Sequence, residues 1–247
     1  MTLEQLRAYA CRLEPEQALG TLDDAEAFLR GRGLLTRMPC CSLPSLFGAC
    51  HEEPYKPGGR GFGSWPKTKW PWSFELATRP GVHMAAIHRG KSLYFTDEVA
   101  RLADPLCRAE LARADEGGYG EDARRLVAHL REAGPSTADD LKVELDLGSR
   151  DLRAARERLA RVGALLTRPI YEPEEFSVVL ERWDQRFPEP TPGGLDELLV
   201  AAVRAVVVAP ERELGTWFSW PLPRGTVDRL VEDGRLACEG GAVYPAR

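Results

Sequence analysis

Arg156 to Arg168 reads RERLARVGALLTR, and its pattern recurs as AFLRGRGLLTR at Ala27–Arg37 and as VDRLVEDGRLAC at Val227–Cys238. In each copy a leucine (Leu29, Leu159, Leu230) is followed four residues later by a glycine (Gly33, Gly163, Gly234) and then by a short apolar run. Glycine in that place ends a helix by adopting the left-handed conformation that other residues resist, so the chain can turn directly into a strand. A helix, a glycine and a strand are how a winged helix passes from its recognition helix into its wing. A unit repeated along one chain sets the architecture before any single motif is weighed. The expected fold class is α+β, mainly α, with tandem winged-helix units and an aromatic, basic insert that contains a β-hairpin.

The middle unit is the fullest. Glu121–Ala133 puts Ala123, Leu126, Val127 and Leu130 on one helical stripe that stops at Gly134-Pro135. Ser136 or Thr137 is expected to cap a second helix, with Asp139 and Asp140 in a first turn whose dipole favours negative charge. Leu147-Gly148 makes a turn, and Ser149 is expected to cap a third helix with Leu152, Ala155, Leu159 and Val162 facing the core. Its other faces carry Arg150, Arg153, Arg156, Arg158 and Arg161 against Asp151 and Glu157, five charges less two, a local +3. In a helix-turn-helix module that element enters the major groove. The alternative is a basic face used for solubility or protein contacts. The third unit is expected as helices over Leu195–Ala209, Glu211–Trp220 and Pro223–Asp233, then strands Leu236–Cys238 and Ala242–Tyr244; the first as helices Leu3–Leu13 and Leu22–Arg32 and a strand Leu34–Arg37. The domain boundaries that follow are 1–53, an insert over 54–120, a central unit over 121–186, a linker over 187–194 and a last unit over 195–247.

The insert reads GGRGFGSWPKTKWPWSF over Gly58–Phe74. Its glycines and prolines dictate an irregular backbone. Arg60, Lys67 and Lys69 alternate with Phe62, Trp65, Trp70, Trp72 and Phe74. Aromatic faces beside cations make a platform for unstacked bases and phosphate; tryptophan near proline also serves as a plug between modules, and the two roles are compatible. A hairpin is expected over His83–His88 and Ser92–Phe95 about Arg89-Gly90. The net charge of −5 opposes nucleic acid as a partner, but its distribution matters more. From Pro54 to Phe95, seven cations (Lys56, Arg60, Lys67, Lys69, Arg79, Arg89, Lys91) stand against Glu75 alone, whereas Glu172–Glu197 holds eight acids against Arg182 and Arg186.

Six cysteines without a C-x-x-C pair indicate free thiols rather than a disulfide framework or a zinc ribbon. Cys40, Cys41, Cys50 and His51 could together offer soft ligands, but no metal and no cofactor is expected. The longest apolar run, Leu198–Ala209, is broken by Arg204 and too short for a bilayer, so the chain is expected in the cytoplasm, with no membrane partner.

The tandem units, GLLTRMPCCSLPSLFGACHEEP (33–54), GFGSWPKTKWPW (61–72), VHMAAIHRGKSLYFTDEVARLADPLC (82–107) and TWFSWPLPRGTVDRLVEDGRL (216–236) together resemble the AlkZ/YcaQ winged-helix DNA glycosylases, a family that unhooks alkylated bases and interstrand crosslinks. The resemblance covers most of the chain. It implies DNA-repair work on duplex DNA, damaged or not. Active members carry Gln-x-Gln or Gln-x-Asp on an early strand to position water; here Thr36 and Met38 stand in those places, and the only glutamines are Gln5, Gln17 and Gln185. Any hydrolysis then needs another water-holding group, and the nearest candidates are Glu52 and Glu53 beside His51, which also read as a plain loop acid pair. The DNA-contacting candidates are Arg150, Arg153, Arg156, Arg158 and Arg161 with Arg60, Trp65, Lys67, Lys69, Trp70, Arg89 and Lys91. A winged-helix transcription regulator and a non-catalytic interaction module are the other readings. Several units strung in one chain favour a monomer over the paired half-sites of a regulator.

Overall fold

The computed structural model describes residues 1–172 and 175–246, with the side chains of all these but 171, 172, 175 and 176. Glu174 of the acidic stretch therefore lies outside the described residues. The chain alternates helices with three small antiparallel sheets. It begins with α1 (Leu3–Ala10), α2 (Leu22–Arg32) and β1 (Leu34–Thr36), crosses the insert with α3 (Trp72–Glu75), and returns through the hairpin β2 (Val82–His88) and β3 (Lys91–Thr96) to the long α4 (Asp97–Asp115). The central part follows as α5 (Glu121–Ala133), β4 (Ser136–Thr137), α6 (Ala138–Glu144), α7 (Ser149–Arg161), β5 (Leu165–Glu172), β6 (Glu175–Arg182) and α8 (Trp183–Arg186). The last part repeats that order as α9 (Leu195–Val206), β7 (Ala209–Pro210), α10 (Glu211–Leu214), α11 (Thr226–Glu232), β8 (Leu236–Glu239) and β9 (Ala242–Pro245).

All three glycines of the repeat have positive φ, +80° at Gly33, +77° at Gly163 and +68° at Gly234. The leucine-to-glycine spacing is itself a hydrogen-bonded device. The N–H after the glycine donates to the carbonyl of the repeat leucine in two copies, Ala164 to Leu159 at 3.0 Å and Arg235 to Leu230 at 2.9 Å. That is the bond that closes a Schellman turn and aims the chain at the next strand. In the first copy Gly33 N–H donates to Leu29 at 2.7 Å. That copy is not equivalent to the others, however. β5 and β8 each enter a hairpin at once, while β1 finds its partner β3 only after the insert, with Leu34 opposite Phe95 and Thr36 opposite Leu93. The sheet β1-β3-β2 thus straddles the boundary expected between residues 53 and 54.

That sheet separates two apolar cores. Leu34, Leu93, Phe95, Ala85 and Ile87 face a large core shared with α4, α5, α7 and α9. Leu35, Tyr94 and Val82 face a smaller one under α2, with Phe28, Leu29, Leu46, Phe47 and Leu76. Successive strand residues point to opposite faces, so a run that is apolar throughout, such as Leu34-Leu35, belongs to a strand covered on both sides.

Some element ends differ from the sequence reading. Thr137 caps α6, its hydroxyl accepting the Asp140 N–H at 3.2 Å. Ser149 does not cap α7; Gly148 does, its carbonyl accepting from Asp151 and Leu152 at 3.0 Å each. α1 stops at Ala10, and Arg12 beyond it takes φ +53°. The helix expected over Glu211–Trp220 is the single turn α10, because Trp217, Phe218 and Trp220 turn into the core. Residues 187–194 are docked on α4 rather than free: Thr191 N–H donates to Asp104 and Gly194 N–H to the Leu102 carbonyl, both at 2.9 Å. Among the described residues no helix is long and apolar enough to cross a membrane.

Candidate nucleic-acid interface

The loop after β1, the insert, the β2–β3 turn and the edge of the central part converge on an open cleft of about 730 Å³. Arg37, Trp65, Phe74, Arg89, Arg156 and Arg161 line it, and Glu157 is the one carboxylate among its described lining residues. A hollow of about 390 Å³ runs on from it past Arg37, Trp65 and Gly90 to Thr36, Met38, Cys40, His88 and Lys91.

Each side chain is held there by a local cause. In α7, Leu152, Ala155 and Leu159 are buried, which leaves the intervening arginines outside; Arg156 and Arg161 fall on the cleft side. Arg89 has φ +53° and Gly90 +88°, the pair of positive values that a tight hairpin turn requires, and the turn projects the Arg89 side chain from the tip of the hairpin. Arg37 donates to the Ser92 hydroxyl, and its guanidinium lies 4.8 Å over the Trp65 ring. Trp65 is in turn wedged between Phe47 at 5.5 Å, Phe62 at 5.2 Å and Phe74 at 5.9 Å. Trp70 packs on Phe62 and Phe74. The aromatic insert is therefore a plug, and Trp65 and Phe74 are the members that also line the cleft.

The other expected contact residues lie elsewhere. Arg153 pairs with Glu157 at 2.8 Å. Arg158 reaches back to the Tyr119 carbonyl at 3.3 Å. Arg150 is exposed in the first turn of α7, and Arg60 and Lys67 are exposed on the insert; none of them lines either hollow. Lys69 donates to the Leu19 carbonyl at 2.6 Å and lies over Trp72, which makes it a clasp for the insert. Lys91 lines the smaller hollow.

The three residues considered for water activation are not in the cleft. His51 hydrogen-bonds the Arg12 carbonyl at 2.8 Å through Nε2. Glu52 accepts from the backbone and hydroxyl of Thr68, and the Glu53 carbonyl accepts Lys67 N–H at 3.0 Å. The Glu52 and Glu53 bonds fasten the two ends of the loop between residues 53 and 67, and the His51 bond ties its start to the chain after α1. Thr36 ends β1 and Met38 lies beyond it, so only the first of the two positions considered for a polar pair is on the strand; the Thr36 hydroxyl donates to the Met38 carbonyl at 2.9 Å, and Met38 packs against the smaller core.

Cys40, Cys41, Cys50 and His51 do not assemble. Cys50 is buried with its thiol donating to the Leu46 carbonyl at 3.3 Å, and burial pushes that thiol up to about 12. His88 instead meets the cysteine pair, its Nε2 lying 3.3 Å from Cys40 Sγ and 4.0 Å from Cys41 Sγ.

In fold this chain is similar to DNA glycosylase AlkZ from Streptomyces sahachiroi. The match has a TM-score of 0.54 at 14% identity and covers 95% of this chain. The chain spans 65% of that protein's length. No protein-family model and no curated protein matches the sequence.

The sequence does not point to Arg37 or His88, and it offers Phe74 only as one of the aromatic faces of the insert. Arg37 closes the quoted repeat, where nothing local singles it out. His88 carried no signal, because its partners stand 47 and 48 residues away along the chain.

Proposed function

We propose that this chain is a DNA-repair-linked, duplex-binding protein built from winged helices, in which α7 and the β2–β3 turn present arginine to the phosphate backbone. The observation that carries this reading is the convergence of Arg89, Arg156 and Arg161 with the Trp65–Arg37 stack on one cleft, with Glu157 the one acid among its described lining residues. Guanidinium groups supply phosphate affinity and an aromatic edge offers a stacking face. The order helix, short strand, helix, helix, hairpin in the central and last parts supports the winged-helix assignment, with β5–β6 and β8–β9 as wings. Likeness in fold to a DNA glycosylase supports a repair setting. The protein acts as a monomer on the nucleoid in this reading, on intact or damaged duplex.

Binding is the core of the proposal. Hydrolysis of a glycosidic bond requires a group in the cleft that holds water, and Glu157 is the carboxylate placed there. The test is fluorescence anisotropy on labelled duplexes, intact, alkylated and crosslinked, paired with an assay for released base. Arg156→Ala with Arg161→Ala is expected to weaken binding to every duplex. Unchanged binding in that variant overturns the reading. Base release that is lost in Glu157→Gln adds hydrolysis to binding.

A further inference from the structure

Cys40, Cys41 and His88 form a second site. Their ligand atoms all lie within 4.8 Å of one another, and the Nε2–sulfur separations of 3.3 and 4.0 Å bracket the roughly 3.5–3.8 Å between neighbouring donors of a tetrahedral zinc. The three residues come from two segments, the loop after β1 and the end of β2, and both segments are anchored to the 213–219 stretch. Ser42, next to Cys41, gives its N–H and hydroxyl to Glu213 Oε2 at 2.9 and 2.7 Å. The Ser219 N–H donates to the Ile87 carbonyl at 2.9 Å, beside His88.

The imidazole is oriented as a ligand. His88 Nδ1 lies against the Trp217 carbonyl, and a carbonyl only accepts, so Nδ1 carries the proton. Nε2 then presents its lone pair to the two sulfurs. A ring nitrogen bonded to a backbone carbonyl is the usual outer-shell arrangement of a metal-bound histidine.

We propose that Cys40, Cys41 and His88 bind one thiophilic cation of the zinc class, with the fourth coordination position open to the hollow lined by Thr36, Arg37, Trp65 and Lys91. Three protein donors with one vacant position is the pattern of zinc sites that take water or a ligand atom. Histidine with two thiolates selects zinc over magnesium or calcium, which prefer oxygen. The open position follows from Cys40, which is exposed and lines the hollow together with His88. This site is independent of the DNA-binding reading.

The test uses the full chain, reduced with a phosphine and stripped of metal by a chelator. Zinc is titrated against a chromophoric competitor, and Co²⁺ is used as a spectroscopic probe of thiolate ligation. The expected result is one equivalent of zinc and a thiolate-to-cobalt charge-transfer band. Cys40 is exposed, so Cys40→Ser should keep the melting profile while weakening zinc by at least the roughly 10–100-fold that loss of an outer-shell partner costs. Cys238→Ser, at the exposed cysteine of β8, should leave both readouts unchanged. Less than a tenth of an equivalent bound, cobalt bound without the thiolate band, or full affinity in Cys40→Ser each overturns the proposal.

Discussion

Gly163 shows how one backbone dihedral decides whether two parts of the chain can touch. Its φ of +77° is open to glycine, and a Cβ there would lie 2.5 Å from Cys107 Sγ of α4 and 3.1 Å from Ile87 Cγ2 of β2. Gly234 performs the same turn at φ +68° with nothing within 4 Å of its Cβ position. The two alanine variants therefore separate backbone cost from packing cost. Both should lose about 1–2 kcal/mol for a side chain in the left-handed region, and Gly163→Ala should lose a further ~1–3 kcal/mol for overpacking. Equal losses in urea unfolding would show that close approach is not what Gly163 supplies. The need for glycine was legible in sequence, because a helix that turns into a strand four residues after a leucine is a local pattern. The neighbours were not, since Ile87 and Cys107 reach Gly163 only through the tertiary fold.

At the scale of elements, the central part is joined by a carboxylate. Asp104 on α4 is 2% exposed. It accepts Arg108 Nε–H at 2.9 Å, Trp183 Nε1–H at 2.7 Å and Thr191 N–H at 2.9 Å. One residue thus connects α4 to α8 and to the docked 187–194 segment. Asp104→Ala strands the buried indole and amide donors, each costing about 1–3 kcal/mol, and unpairs Arg108, so the expected loss is about 3–5 kcal/mol. Asp104→Asn keeps one carbonyl acceptor and should recover part of it. A denaturation midpoint unchanged in the alanine variant would sink this account. Helices α5 and α7 were readable because a period of 3.6 recurs over thirteen residues in each. The proline-rich 187–194 segment read as a linker because composition reports flexibility of the free chain, whereas the Asp104 acceptor that fixes it is 87 residues away from Thr191. In the last part, the helix expected over Glu211–Trp220 is cut short because Trp217, Phe218 and Trp220 fill the core.

At the scale of the molecule, a net charge of −5 surrounds a cleft whose described lining holds four arginines and one glutamate. Charges beyond a screening length of about 8 Å at physiological salt contribute little, so on the proposed reading the cleft, not the total, would set phosphate affinity. The charge excess was legible in the sequence, but its assembly was not: the lining residues run from Arg37 to Val178 and meet only because the β1-β3-β2 sheet carries the insert and the hairpin turn to the edge of α7. Arg37 is occupied by Ser92 and Trp65, so the proposed phosphate contacts fall to Arg89, Arg156 and Arg161. Three such contacts predict that log K falls against log salt with a slope of about −2.7 on B-form duplex, at about −0.9 per phosphate. Alanine at any one of the three should move the slope toward zero by about 0.9. Arg150→Ala and Arg158→Ala, off the cleft, should leave it unmoved. The reverse outcome, with the slope following Arg150 and Arg158 but not the cleft arginines, would mean that α7 meets DNA with its opposite side, and the cleft would then have to be read as closed to the duplex.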